Sequence, residues 1–213
     1  MAVQLLSVVP VMSLRPSRTL ARGVLLAAAL LVLSACGSDT RDWQLNNVTG
    51  HLPDLHFDMT GDNGQPMTAE ALKGKVVMLY FGYTHCPDVC PLSLTHLHVV
   101  MQRLGKLADE VRIVFVSVDP KRDTPEILHG YVRAFDQHAV GLTGNVQQVR
   151  KLTKAYRVVF DADPPDGHGN YEVSHSSAVF IFDRQGRARL ISGSADNMPA
   201  IEHDVKQLIE ESS

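Results

Sequence analysis

The run Val76-Val77-Met78-Leu79-Tyr80-Phe81 is apolar at every position, so a strand built from it must be covered on both faces. Gly74 and Gly82 bound it, and the chain continues as Tyr83-Thr84-His85-Cys86-Pro87-Asp88-Val89-Cys90-Pro91. After Cys90 the apolar positions Leu94, Leu97, Met101 and Leu104, with Val100 and Leu107, recur at three- and four-residue steps. They mark an amphipathic helix that tolerates Pro91 in its first turn. A buried central strand thus delivers two cysteines to a helix N-terminus. Such a dithiol is a redox couple, a metal clamp or both.

Arg112 to Val118 reads as a second buried strand, ending in Asp119-Pro120. Asp123-Thr124-Pro125-Glu126 has the form of a helix start, with an oxygen-bearing cap, proline in the first turn and an acid at the positive dipole end, for a helix to about Phe135. Asn145 caps a further helix, Val146 to Tyr156, with Val149, Leu152 and Tyr156 on one face. Arg157 to Phe160 is a short extended piece, and Asp161 to Asn170 is a polar surface loop. Tyr171 to His175 leads into the strand Ala178 to Asp183, which turns through Arg184-Gln185-Gly186 into Ala188 to Ser192 as an antiparallel hairpin. Pro199 opens a last helix in which Ile201, Val205 and Leu208 repeat. Upstream, Leu52 to Met59 followed by the turn cluster Thr60 to Gln65 predicts an N-terminal hairpin.

This order is that of a thioredoxin-like α/β sandwich, a central mixed β-sheet flanked by helices with an N-terminal β-hairpin. In that fold the reactive cysteine sits at the N-terminus of the first core helix. Positive potential at the helix end is expected to lower the thiol pKa there.

Residues 1–35 differ from the rest. They hold Arg15, Arg18 and Arg22, no acids, and an eleven-residue small and apolar run from Gly23 to Leu33. A spanning helix needs roughly 20 residues, so this pattern predicts a secretory signal rather than a membrane span. It ends in Leu33-Ser34-Ala35-Cys36-Gly37, which resembles the lipobox of bacterial lipoproteins, with Cys36 the lipidated first residue of the mature chain. The alternative is an uncleaved N-terminal anchor, and Met12 can also serve as the start. Both readings put the globular part outside the cytoplasm and on a membrane, at the periplasmic face of a bacterial cell envelope. Polar residues 36–48 then form a tether, and 49–213 the folded domain.

Three of the 20 basic residues fall in 1–35 and no acid does, which leaves 17 basic against 23 acidic residues, a net charge of −6. An acidic surface argues against nucleic acid as a partner. With Cys36 used by lipid, Cys86 and Cys90 are the remaining pair of the three cysteines. Export exposes that pair to oxidising conditions, where it closes into a disulfide unless it is reduced or metallated. A bridge across so short a loop adds little stability, so the pair is not a structural staple.

Thiolates are soft donors that select Cu(I) and zinc-like ions, and two sulfurs call for a nitrogen ligand from elsewhere. His175, which precedes a core strand, is the best-placed of the histidines. His96 and His98 are two apart on a helix and cannot face the same way. His129 and His138 lie on other elements, His51, His56 and His203 belong to terminal ones, His85 belongs to the strand-to-helix loop, and His168 sits in the polar loop.

Three stretches carry a family resemblance: Phe81 to Pro91, then Ser117-Val118-Asp119-Pro120-Lys121-Arg122-Asp123-Thr124-Pro125, then Val173-Ser174-His175-Ser176-Ser177. Together, in order from about residue 48 to 210, they resemble the Sco family, also called SenC, of copper-handling proteins. The resemblance implies a thioredoxin-like domain that binds copper, as Cu(I) or Cu(II), through Cys86, Cys90 and His175. It implies for Asp119 a supporting role beside the site, orienting a ligand or balancing charge. It also implies a part in building the dinuclear copper centre of cytochrome c oxidase, with that enzyme's copper-bearing subunit or another copper carrier as partner. Two functions follow: a membrane-tethered copper chaperone, or a thiol-disulfide oxidoreductase that reduces the cysteines of that copper site or of a carrier. A thiol peroxidase or redox sensor shares the fold, but the Pro87-Asp88-Val89 spacer and second cysteine argue against it.

Overall fold

In a computed structural model of the chain, residues 41–164, 166 and 171–211 are described, and His175 through its backbone alone. The expected signal segment, Cys36 and His168 lie outside the described residues. The strands are β1 (Asn46–Asn47), β2 (Asp58–Gly61), β3 (Pro66–Thr68), β4 (Val76–Gly82), β5 (Val111–Ser117), β6 (Ala139–Thr143), β7 (Phe160–Ala162), β8 (Val173–His175), β9 (Val179–Phe182) and β10 (Ala188–Ser192). The α-helices are α1 (Val89–Leu104), α2 (Pro125–Phe135), α3 (Val146–Ala155) and α4 (Met198–Glu210). Eight strands form one mixed sheet in the order β1-β10-β9-β4-β5-β6-β2-β3, and β7 pairs with β8 alone. The fold is thioredoxin-like, as the element order predicts.

All seven residues of β4 are buried, because the strand sits mid-sheet with helices over both faces. Tyr80 stacks on its register partner Phe115 at 6.1 Å, and Phe115 on Tyr131 of α2 at 5.5 Å. On the opposite face Phe81, Phe180 and Phe182 all meet Tyr156, at the end of α3. α1 packs against both α2 and α4. Burying such a set is the main driving force for the fold, at about 2 kcal/mol per large apolar side chain.

The helix starts follow local chemistry. Thr124 accepts from the Ile127 amide at 3.3 Å with Pro125 in the first turn, and Asn145 with Gln148 forms a reciprocal capping box. Gly105 ends α1 at a positive φ of 57°. No helix among the described residues is long and apolar enough to cross a membrane.

Four expectations need correction. Strand β6 is absent from the order read by periodicity, because Ala139-Val140-Gly141-Leu142-Thr143 is short and carries no alternation. It forms by pairing with β5 and β2, and a glycine lets α2 lie close: a Cβ at Gly141 would stand 3.0 Å from Leu128 Cβ. The hairpin strand begins at Asp58 rather than Leu52, with Thr60 and Gly61 in the ladder rather than the turn, and β2 joins the main sheet beside β6. The extended piece expected at Arg157 to Phe160 is instead Phe160–Ala162, so the polar loop begins as a strand paired with β8. Finally, the compact unit starts at Trp43, inside the stretch expected to be tether. Asn46–Asn47 pair with β10, and buried Asp204 of α4 accepts from the Gln44 and Leu45 amides.

Candidate functional site

Parallel strands bring their carboxyl ends to one sheet edge, where loops can build a site. Here Gly82 of β4 lies opposite Ser117 of β5, and the Val118 amide donates to the Gly82 carbonyl at 2.8 Å. The loops 83–88 and 118–124 therefore leave the sheet side by side. β9 runs antiparallel to β4 with Val179 opposite Tyr80, so the chain entering β9 arrives from that same edge. That chain is β8, ending at His175. The three stretches that carry the resemblance thus converge.

Cys86 is half-buried and Cys90 fully buried, and no disulfide joins the two. Cys90 lies in the first turn of α1, and its backbone N–H donates to Cys86 Sγ at 3.4 Å. A first-turn helix amide therefore faces the outer sulfur. Gly82 makes room for the inner one. A Cβ there would stand 3.0 Å from Cys90 Sγ and 2.7 Å from Phe115 Cε2.

The lowered pKa expected at this helix end is not what Cys90 has. Burial pushes its thiol up to about 12, and the neighbouring Tyr83 amide does not offset this. Desolvation of the charged form outweighs the helix field once the sulfur is sealed from water. Burial, with Cys90 as the next contribution, likewise raises the phenols of Tyr80 and Tyr131 beneath the site.

Asp123, which sequence reasoning treated as part of a helix start, is a fully buried carboxylate under the dithiol loop. Thr124 caps the helix, and Asp123 turns inward. It accepts from Ser117 Oγ at 2.6 Å, from Thr84 Oγ1 at 2.6 Å and from the Thr84 backbone amide at 3.1 Å. Thr84 is two residues before Cys86, so this carboxylate pins the loop that presents the outer thiol. The signal was in the second motif, where two acids flank Arg122, but spacing alone does not say which one faces inward.

Asp119 is also buried, at 5% exposure. Its carboxylate pairs with Arg122 Nε and accepts from the Tyr171 hydroxyl at 2.7 Å. Its Arg122 and Tyr171 partners were not singled out from sequence. Through these two partners Asp119 links the loop after β5 to the approach to β8.

Among the described residues no group of three or more His, Cys, Asp or Glu stands where it could hold a metal ion. Cys86 and Cys90 supply two soft donors, and the side chain of His175 lies outside the described residues. Histidines passed over as ligands have other occupations: His98 and His138 on Asp136 at 2.8 and 2.9 Å, His129 on Asp62 at 3.0 Å, His203 on Asp204 at 2.8 Å. His85 is half exposed, with Nδ1 3.1 Å from Thr84 Oγ1.

The SCO1/SenC family model matches residues 49–210. A SCO2-like protein of Rickettsia felis is 36% identical over 132 residues, covering 62% of this chain and 64% of that protein. The chain therefore spans just under two thirds of the length of that relative. Among solved structures, Bradyrhizobium japonicum ScoI with copper bound is 37% identical with a TM-score of 0.65, over 73% of this chain and 98% of that one. A SCO1/SenC family lipoprotein from Bacillus anthracis strain Ames is 26% identical with a TM-score of 0.62, over 78% of this chain and 95% of that one. Sheet order, helix-end dithiol and a family match across nearly all of the folded unit lead to one conclusion: this chain belongs to the SCO1/SenC family.

Proposed function

We propose that this chain is a membrane-tethered copper carrier of the bacterial cell envelope, which holds copper as cargo through Cys86, Cys90 and His175 and delivers it during assembly of the dinuclear copper site of cytochrome c oxidase. The observation that carries the reading is that the loop bearing the two cysteines and the backbone of His175 converge on one edge of the sheet. Soft sulfur donors fit Cu(I), and imidazole fits either oxidation state. The B. japonicum relative, solved with copper bound, supports copper as the cargo. Asp119 supports the site from the side, through Arg122 and Tyr171. The receiving partner is the oxidase's copper-bearing subunit or a second copper carrier.

One observation favours a second reading, a thiol-disulfide oxidoreductase. Cys86 is accessible while Cys90 is sealed with a raised pKa, which suits an attacking and a resolving thiol. In that reaction the Cys86 thiolate attacks a partner disulfide and expels one partner thiolate, forming a mixed disulfide. Cys90, giving up its proton, then closes the Cys86–Cys90 bridge and releases the second thiolate, so the partner gains two electrons and this dithiol loses two.

Anaerobic titration of the reduced chain with Cu(I) and Cu(II), read by sulfur and nitrogen charge-transfer bands, separates the readings. The wild type is expected to bind copper, and His175→Ala to bind it at least about a hundredfold more weakly, since losing a mere support of a ligand costs roughly 10- to 100-fold. Reduction of a model disulfide should be unchanged in that variant. Failure of the reduced wild type to bind copper removes the carrier and favours the oxidoreductase; equal affinity in the variant removes His175 as a ligand.

The anchor proposed at Cys36 has its own check. Cys36→Ser should abolish labelling by a radioactive fatty acid and move the protein from the membrane to the soluble envelope fraction. Continued labelling would place the lipid elsewhere. One chain gives only marginal attachment, so a multiply acylated N-terminus is expected.

A further inference from the structure

A single side chain bridges three segments at this sheet edge. Arg122 pairs through Nε with Asp119, donates through Nη1 to the Tyr171 carbonyl at 3.0 Å, and lays its guanidinium over the Tyr171 ring at 3.6 Å. Its Cζ is also 5.7 Å from the centre of the Tyr83 ring. The Tyr171 hydroxyl closes the circle on Asp119 at 2.7 Å. Tyr83 is three residues before Cys86, and its own hydroxyl accepts from the Val173 backbone amide. Tyr171 and Val173 lead directly into His175, the last residue of β8.

Val173 anchors the middle of β8 in the core. Among the described residues the strand pairs with β7 in a separate two-stranded sheet, and such a ribbon by itself is marginally stable in water. Its position relative to the dithiol depends on side-chain contacts. The planar guanidinium, with donors in a fixed fork and two faces for stacking, provides them in a way a lysine ammonium cannot.

We propose that Arg122 is a positioning residue that clasps β8, and with it the backbone of His175, onto the loop that carries Cys86. In the copper reading, on which this consequence rests, the clasp sets the third ligand at a fixed approach to the two thiols before metal arrives. The ordering cost is met in the apo state, and affinity rises accordingly.

Two readouts on the full chain, reduced and metal-free at the start, test this. Amide hydrogen exchange of residues 171–175 should rise by at least about tenfold in Arg122→Gln, while exchange of β4 and β5 stays as in the wild type. Arg122→Lys should behave like Arg122→Gln rather than like the wild type. In competition titrations Cu(I) affinity should fall by about tenfold in both variants, with no change in the alkylation rate of Cys86. Unchanged exchange at 171–175 in Arg122→Gln overturns the clasp, as does full rescue by lysine. Faster exchange with wild-type Cu(I) affinity overturns the link to the third ligand. If the wild type binds no copper, the carrier function fails, and the exchange arm still decides whether Arg122 holds β8.

Discussion

Replacing Asp123 by alanine is expected to cost about 4 kcal/mol of stability, the largest effect of any single substitution at the site. The carboxylate is sealed from solvent and accepts three hydrogen bonds, from Ser117 Oγ, Thr84 Oγ1 and the Thr84 amide. Alanine leaves all three donors without that partner in a site sealed from solvent. A buried orphaned donor costs about 1–3 kcal/mol, and breaking a buried network falls in the upper tail of mutational effects. At about 1.4 kcal/mol per factor of ten, the folded fraction relative to unfolded falls nearly a thousandfold. Asp123→Asn, of the same shape and with one acceptor oxygen, should lose about half as much. Urea unfolding of the reduced chain measures both. A loss below about 1 kcal/mol for the alanine variant would mean that the loop finds other partners and that Asp123 does not pin it.

Alkaline instability of the reduced, metal-free protein is the second expected result. Burial raises the Cys90 thiol from 9.0 to about 12 and the Tyr156 phenol from 10.0 to about 12. Tyr80 and Tyr131 move the same way, with burial again the first cause. All are acids whose neutral form is favoured in the fold. Below pH 9 both states keep these protons and the shifts contribute nothing. Above each unfolded pKa the unfolded chain releases the proton while the folded chain retains it, so stability falls by about 1.4 kcal/mol per pH unit for each group. The loss starts near pH 9 with Cys90 and steepens above pH 10 as the tyrosines join. By pH 11 Cys90 and Tyr156 together remove about 4 kcal/mol, a large part of an ordinary domain's stability. Unfolding midpoints at pH 8, 9, 10 and 11 check this, with Tyr156→Phe expected to flatten the slope above pH 10. A stability constant from pH 8 to 11 would show that these groups ionise freely in the native state.

Much of the fold was legible because its strongest signals are local. The apolar run of β4, the three- and four-residue steps of α1, and the Thr124 and Asn145 caps each depend on neighbours in sequence. β6 was not legible. Its five residues carry no alternation, and it is a strand through its ladders to β5 and β2, with Gly141 letting α2 press against it. The start of the domain was missed for a similar reason. Trp43 to Asn47 is short and shows no clear period, and it belongs to the fold through buried Leu45 and through backbone amides given to Asp204, some 160 residues away.

At the site the division is sharper. Residue identity alone determined the chemistry on offer: two soft thiols at a helix start, a histidine before a core strand, and a family pattern in three ordered stretches. Only the tertiary structure decided how those groups differ. It sealed Cys90 beneath Gly82 and left Cys86 accessible, reversing the pKa expected from the helix end. It also turned Asp123 inward beneath Thr84 and put Arg122 between Tyr83 and Tyr171. The physical reason is that donor type is a property of a residue. Desolvation and partner geometry belong to the space that residues from β4, β5 and β8 enclose together.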